Sequence, residues 1–447
     1  MNVIGKPITV NNHCFVHSGC LRKSNTTHRW FKTMIFIHLL LSFGRTQITG
    51  LAEHWEMHPF SSADSVQRQD RFRINLQGEL GIATFYYSGE LVQETISDPA
   101  LFWENRQSFL ELALPRLDVR IGKQKVEWGL INGWYLLDRI NPKDLRYHLF
   151  RPLNDIRIGT MMVRTRNQLA GISLEGIWIP EYVHDPPIES GPWRPNIQYQ
   201  AEGLHTIHFS NEQFENGLSN EFGIRLAGSV SRLNYRLMWF NGYQDNLWTE
   251  FSPVNWIVPP EPYGIGELDV DKRTARQTLA GFDLEIPVSQ LILQSEYGME
   301  HPFRYDTRMD VSESVVDAAI HMETAESKRS LLMLGVKYSG IFGIRLHGQW
   351  IQKRIREYVP SDYFPEREEY TIFNLAGGIP GMQMGLDYWI LTDMRRNSGM
   401  AKTELYYMYT PRIIVTIGMV SFWGGEDHWI GQYRTQDNYF LKGTFVY

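Results

Sequence analysis

Cysteine is nearly missing: Cys14 and Cys20 are the only two, both near the start, so residues 21–447 hold no disulfide and no cysteine-based metal set. Long apolar runs are equally scarce. The single one, Met34 to Phe43, has ten residues and is too short to cross a bilayer as a helix. It reads as the core of a signal peptide, with His28, Arg29 and Lys32 as a basic flank and small residues at Ser42–Gly44 or Gly50–Ala52 for cleavage near 44–52. A buried core helix is the other reading. Residues 1–33 make a long extension, and Met34 is a second candidate start. With the two cysteines upstream, the expected mature chain has no disulfide and needs another source of stability; a closed, fully hydrogen-bonded barrel is one.

Positive charge is also short. The first 50 residues carry six basic and no acidic side chains; the rest carries 38 basic against 50 acidic, a net of about −12, which argues against a general nucleic-acid binder. Enzyme motifs are missing as well. There is no Gly-x-Ser-x-Gly, P-loop or His-Glu-x-x-His. His301, His321 and His428 fall in expected loops, and no serine–histidine pair marks a lipid-facing rim. The sequence predicts no enzyme, no cofactor and no metal site.

Aromatic residues are abundant: 13% of the chain, with 22 Tyr and 14 Trp, at a mean hydropathy of −0.32. Apolar side chains are therefore dispersed, and the dispersal has a period of two. In "RFRINLQGELGIATFYY" Phe72, Ile74, Leu76, Leu80, Ile82 and Tyr86 share one parity, while Arg71, Arg73, Asn75, Gln77 and Glu79 share the other. Strict alternation is the mark of a strand with one apolar face. The pattern recurs near 71–87, 106–114, 117–128, 157–166, 169–180, 220–230, 233–241, 275–286, 290–299, 329–338, 341–354, 369–377, 382–393, 403–410, 412–423 and 437–447. That predicts sixteen strands, within a range of fourteen to eighteen. Connections alternate between tight turns, such as Asn167–Gln168 and Ser231–Arg232, and loops of eight to nearly forty residues. Short periplasmic turns and long outer loops are what a transmembrane barrel requires. The expected class is all-β: an antiparallel up-and-down barrel over 71–447, preceded by a leader in 1–50 and a periplasmic segment at 51–70.

The chain ends in "NYFLKGTFVY", alternating to its last residue. A final strand must pair with the first to remove the sheet edge in lipid. Tyr439, Leu441, Phe445 and Tyr447, with Gly443 the one departure, resemble the C-terminal signal read by the barrel-assembly machinery; an ordinary terminal edge strand is the plainer reading.

Lipid parity fixes lumen parity. The early strands then supply Arg71, Arg73, Arg120, Gln124, Arg164, Arg166, Arg225 and Arg236; the later ones Asp283, Glu285, Glu296 and Asp387, with Arg345 interrupting them. Glu79 and Glu175 sit on the basic side. Opposed walls would set a transverse field favouring anions near the arginines. Ion pairs that merely brace the wall explain the same residues, and the sequence leaves both readings open.

A loop of nearly thirty residues begins at Gly129 and runs to about 156. Asn141–Pro142 is a helix-start signal, and Asn141, Lys143, Asp144 and Arg146 sit among Trp134, Tyr135 and Tyr147. The loop is expected to fold inward and narrow the barrel; a surface lid is the alternative. "RIGKQKVEWG" followed by "DRINPKDLR" is similar to a motif of poorly characterised outer-membrane barrels akin to alginate-export and other substrate-specific porins. Arg120, Gly122, Lys123, Gln124, Trp128, Gly129, Asn141, Pro142 and Asp144 carry that resemblance. It implies a channel-forming barrel and names no solute.

The expectation is thus a passive porin-like channel for small polar or anionic solutes in the outer membrane of a Gram-negative cell. Its partners would be outer-membrane lipid, the assembly machinery, the solute and, for a homotrimer, two further copies. A non-conducting barrel that binds, assembles or exports surface polysaccharide or lipid, or assists efflux, is the rival. Segments 181–219 and 242–273, rich in Pro, Trp and Tyr, suit sugar stacking or simple capping of the barrel mouth.

Overall fold

The structure is a computed structural model that describes residues 46–60, 66–95, 100–130, 136–147, 151–186, 193, 204–209, 213–214, 220–244, 248–251, 255–257, 265–311, 320–340, 343–379, 381–426 and 428–447. The expected signal core at 34–43 lies outside them, as do Trp134 and Tyr135.

Eighteen antiparallel strands make one sheet. In chain order they are β1 (Thr46–Pro59), β2 (Gln67–Leu80), β3 (Ala83–Glu94), β4 (Ala100–Ala113), β5 (Leu117–Gln124), β6 (Thr160–Leu169), β7 (Ile172–Ile179), β8 (Glu221–Val230), β9 (Leu233–Tyr243), β10 (Arg276–Val288), β11 (Leu291–Val311), β12 (Ile320–Ser339), β13 (Arg345–Arg356), β14 (Arg367–Gly378), β15 (Met384–Asp393), β16 (Ser398–Thr410), β17 (Ile413–Trp423) and β18 (Asn438–Val446). The sheet closes where β18 pairs with β1, from Leu51↔Val446 to Pro59↔Asn438. No edge is left for water or another chain to pair with. The connections after β2, β4, β6, β8, β10, β12, β14 and β16 are two to five residues long and lie at one end; most of those at the other end are longer, although only 394–397 join β15 to β16. The two strand termini meet at the short-turn end, where Tyr447 and Gly50 exchange backbone hydrogen bonds.

The count exceeds sixteen for two reasons. Residues 71–87 are not one strand: Gly81–Ile82 turn the chain, with Gly81 at φ 59°, and β2 and β3 pair across them. The turn also flips the parity, so Phe85 and Tyr87 take the outward side and Tyr86 points inward onto Phe109, with ring centroids 5.1 Å apart. The second addition is β1. Residues 51–70, expected as a periplasmic segment, belong to β1, the loop after it and the start of β2, and the expected cleavage window at 44–52 overlaps the first turn-side residues of β1. Its pattern is inverted, with Trp55 and Met57 buried inward and His54, Glu56 and His58 outward.

Over most of the remaining wall the outward parity is apolar and exposed, as at Ile224, Leu237, Leu293, Leu334, Ile417 and Leu441. In a soluble sandwich this face would be packed; here it is the surface.

The inner wall departs from expectation. Not every inward side chain meets water: toward the long-loop end Met162, Ile179, Phe240, Leu279, Met333 and Leu391 are buried in a single apolar cluster with loop residues. The strands there carry both faces apolar because the lumen is filled by chain. On the same side, Leu204–Phe209, Gln213–Phe214, Trp248–Phe251, Asn255–Ile257 and Ile265–Thr274 form a separate five-stranded sheet within two of the long loops. β11 and β12 are the longest strands, at 21 and 20 residues.

Candidate lumen site

The segment 125–159, between β5 and β6, organises the interior. Its ends are pinned by Asn141: Oδ1 accepts from the Val126 amide at 2.6 Å, and Nδ2 donates to the carbonyls of Gln124 and Ile158 and to Thr160 Oγ1. Lys143 is buried with Nζ on the Asp138 carbonyl, and its backbone pairs with Arg157. Arg157 grips Asp138 at 2.6 Å. Asp144 and Arg146 pair with each other at 2.7 Å. The helix expected from Pro142 is a single 3-10 turn at Leu145–Tyr147, followed by a four-residue helix, α1 (Leu153–Ile156). The four loop residues picked out from the sequence therefore serve mainly the loop's own framework.

Contact with the wall comes from other residues. Trp128 Nε1 donates to Glu175 Oε1 on β7 at 2.7 Å. The Leu130 amide donates to Glu296 on β11, and Gly129, at φ 113°, brings the backbone so close that a Cβ would stand 3.0 Å from Glu296 Oε1. Arg139 reaches Glu300 on β11 at 2.8 Å, and Arg329 of β12 holds the other oxygen at 2.5 Å. Leu137 rests on Gly281 and Gly298, a cross-strand pair; a Cβ at Gly298 would meet its Cδ2 at 2.5 Å. On the opposite flank, Asp155 of α1 meets Arg71 at 3.1 Å, Arg73 at 3.0 Å and Arg106 at 3.6 Å. The segment thus touches the inner wall from β2 round to β11.

Each inward residue named from the sequence lies on the inner face of its strand, and most are paired locally. Arg71 also contacts Glu53 and Glu90, and Arg73 and Arg106 share Glu90 at 2.8 and 3.2 Å. Arg236 binds Asp283 and, at 3.2 Å, Glu285. Arg120 binds Glu111 at 2.8 Å and lies over the Phe109 ring at 4.6 Å. Gln124 donates to the Met162 carbonyl at 3.1 Å, and Asp387 accepts from Asn374 at 2.7 Å. Arg345 is exposed at the short-turn end of β13. One group is unbalanced: Arg164, Arg166 and Arg225 converge on Glu175 alone, at 2.5, 3.1 and 3.3 Å.

In the loop, the three arginines around Asp155 outweigh its burial and hold its carboxyl well below the usual carboxylate range. Lys125 is pushed the other way, to about 6, by burial and by Arg106 beside it.

A closed barrel with exposed apolar outer parity, short turns at one end and long loops at the other has a single physical home. This is an outer-membrane β-barrel. No protein-family model matches the sequence, and no curated protein matches it. Among solved structures the chain is similar to OmpF of Salmonella typhi in complex with daunomycin, at 11% identity and TM-score 0.42, covering 90% of this chain and 97% of that one. It is also similar to the in-vitro folded trimer form of the Vibrio cholerae outer-membrane protein OmpT, at 9% identity and TM-score 0.39, covering 91% and 100%. The outer-membrane protein opdK of Pseudomonas aeruginosa matches at 9% identity and TM-score 0.48, covering 91% and 99%.

Sequence reasoning missed Glu53, Glu90, Arg106, Arg139, Asp155, Glu300 and Arg329. Arg106 was hidden by the irregular register where Ser88 and Gly89 of β3 face Gln107 and Asn105 of β4. A run of alternation gives the face of a strand residue, but no local signal tells that Asp155, 84 residues from Arg71, will sit beside it.

The C-terminal residues Tyr439, Leu441 and Phe445 are exposed outward on β18. Tyr447 stacks on Phe72 at 5.9 Å and donates its hydroxyl to the Arg73 carbonyl at 2.8 Å.

Proposed function

We propose that the chain is a porin-like channel for passive diffusion of small polar or anionic solutes, narrowed by segment 125–159. The supporting observation is the triad of Arg164, Arg166 and Arg225 on one carboxylate, Glu175, next to Trp128 of that segment. Three guanidinium groups against one carboxylate leave a local excess of two positive charges on the inner wall, which raises the local concentration of anions and lowers that of cations. The ion pairs around Arg71 and Arg236 are closer to balance and serve to brace the wall and hold the segment.

The inward residues Arg73, Arg120, Arg164, Arg166, Arg225, Arg236, Glu285, Arg345 and Asp387 line the proposed path, and Arg71, Gln124, Asp283 and Glu296, which are buried, brace the wall and the segment behind it. Tyr439, Leu441, Phe445 and Tyr447 are the proposed recognition strand for barrel assembly, with outer-membrane lipid around the wall. The continuous apolar cluster inside the long-loop end supports the rival, a barrel that binds or exports material at the surface without conducting. Swelling of liposomes holding the protein separates the two. Entry of small acids faster than amines of equal size supports the channel, and no swelling with any solute supports the rival.

A further inference from the structure

The carboxylate of Asp155 sits in a socket that the wall completes without it. Arg71 and Arg73 on β2 and Arg106 on β4 face inward, and acids on the strands already hold them. Glu53 of β1 binds Arg71, Glu90 of β3 meets all three at 2.8–3.3 Å, and Glu104 of β4 touches Arg106 at 3.4 Å. The three guanidinium groups are therefore positioned by paired strands, whatever the inserted segment does. The occupant comes from elsewhere: Asp155 lies on the four-residue α1, 84 residues from Arg71.

The wall grips this residue at both ends. Oδ1 meets Arg73 at 3.0 Å and Arg106 at 3.6 Å, Oδ2 meets Arg71 at 3.1 Å, and the backbone carbonyl of Asp155 accepts from Arg106 Nη2. From that carbonyl carbon through Cα and Cβ to the carboxyl carbon runs a four-carbon skeleton with an acceptor at each end. A brace needs only opposite charge, which one arginine fork supplies. Donors matched to two acceptors at a set spacing make a recognition site.

Exposure gives the direction of approach. The side chains of Arg71 and Arg106 are 2% and 3% exposed, those of Arg73 and Asp155 15% and 17%. Arg73 is the nearer to the short-turn end of β2, so the socket opens toward that half of the lumen, where Ser88 donates to Asn75 at 2.7 Å.

We propose that Asp155 is a tethered stand-in for a free ligand, a four-carbon acid with an acceptor oxygen at each end, which enters from the short-turn side, takes the arginines and releases α1. The segment is held shut by its own carboxylate and loosened by solute. A tether of this kind presents its group at an effective concentration on the order of millimolar, so release needs free acid at about that level. Only the consequence, a wider path, rests on the channel reading; binding and release stand on the socket itself.

The test uses the full chain in mild detergent, with heat-modifiable gel migration reporting that the barrel is folded, and sodium succinate, succinamate, butyrate and chloride at one ionic strength. Succinate and succinamate are expected to speed proteolysis within 125–159 at least about fivefold once they exceed the tether's effective concentration. Butyrate, which lacks the second acceptor, and chloride should leave the rate level. In Asp155→Asn the competing carboxylate is gone, and calorimetry should show succinate binding at least about tenfold tighter than in wild type. Adding Arg73→Gln to that variant should abolish the binding; if the pair does not fold, the salt series and Asp155→Asn alone decide. Release by butyrate or chloride equal to that by succinate would mean simple screening of an ion pair and overturns the proposal. So does cleavage that succinate leaves unchanged, or equal affinity in wild type and Asp155→Asn. None of these readings needs current through the barrel, so a barrel that does not conduct sinks the channel and leaves the socket standing.

Discussion

Trp128 and Glu175, 47 residues apart in the chain, meet through a 2.7 Å hydrogen bond from the indole Nε1 to a buried carboxylate oxygen. The same carboxylate holds Arg164, Arg166 and Arg225, so the inserted segment and the basic part of the wall share one anchor. Glu175→Gln keeps the shape and removes the charge. It is expected to lower stability by about 1.5–3 kcal/mol, the range for a hydrogen bond to a charged group. It should also shift the reversal potential in a salt gradient toward stronger anion preference. Urea unfolding and planar-bilayer recordings read the two effects. An unchanged reversal potential would place the triad away from the ion path.

The seat of Leu137 is a second point of control. Gly298→Val puts side-chain atoms where Leu137 Cδ2 now rests, 2.5 Å from the nearest added carbon. Overpacking of this kind costs about 1–3 kcal/mol. The expected outcome is a loosened segment, seen as faster proteolysis within 125–159 and noisier single-channel current, while the barrel stays folded by gel migration.

Much of this could be read from the chain, and the failures have physical causes. Period-two alternation identified the barrel, the closing strand and the inward face of every arginine in the triad. It failed at Gly81–Ile82 because three consecutive aromatics, Phe85 to Tyr87, mask the parity flip after a two-residue turn. It failed at β1 because Trp55 and Met57 face inward and His54 and Glu56 outward, the reverse of a lipid-facing strand. It could not foresee an apolar lumen, since inward residues such as Phe240 and Met333 owe their burial to loops distant in sequence.

Acid should release the segment only late. Asp155 is held well below its ordinary value by Arg71, Arg73 and Arg106. A carboxylate depressed in the folded state contributes stability that is complete above its unfolded pKa of about 3.9 and is lost as pH falls below it toward the folded value. Protease resistance of 125–159 should therefore stay level from about pH 5, where Lys125 is already protonated, to about pH 4 and decline below that. In Asp155→Asn the resistance should be low throughout and flat with pH.

A separate change is expected at milder pH. Lys125, pushed down to about 6, is mostly neutral at pH 7 and gains its proton as pH falls through 6. Anion preference measured by reversal potential should rise between pH 7 and pH 5, and Lys125→Met should flatten that rise. A rise of equal size in the variant would assign it to other groups.

Single-channel recording in planar bilayers tests the central claim most directly. The account predicts discrete open-channel currents from the wild-type barrel, anion-selective in a salt gradient, with selectivity reduced in Arg164→Ala with Arg225→Ala. A folded, inserted barrel that passes no current, or that prefers cations, would contradict it.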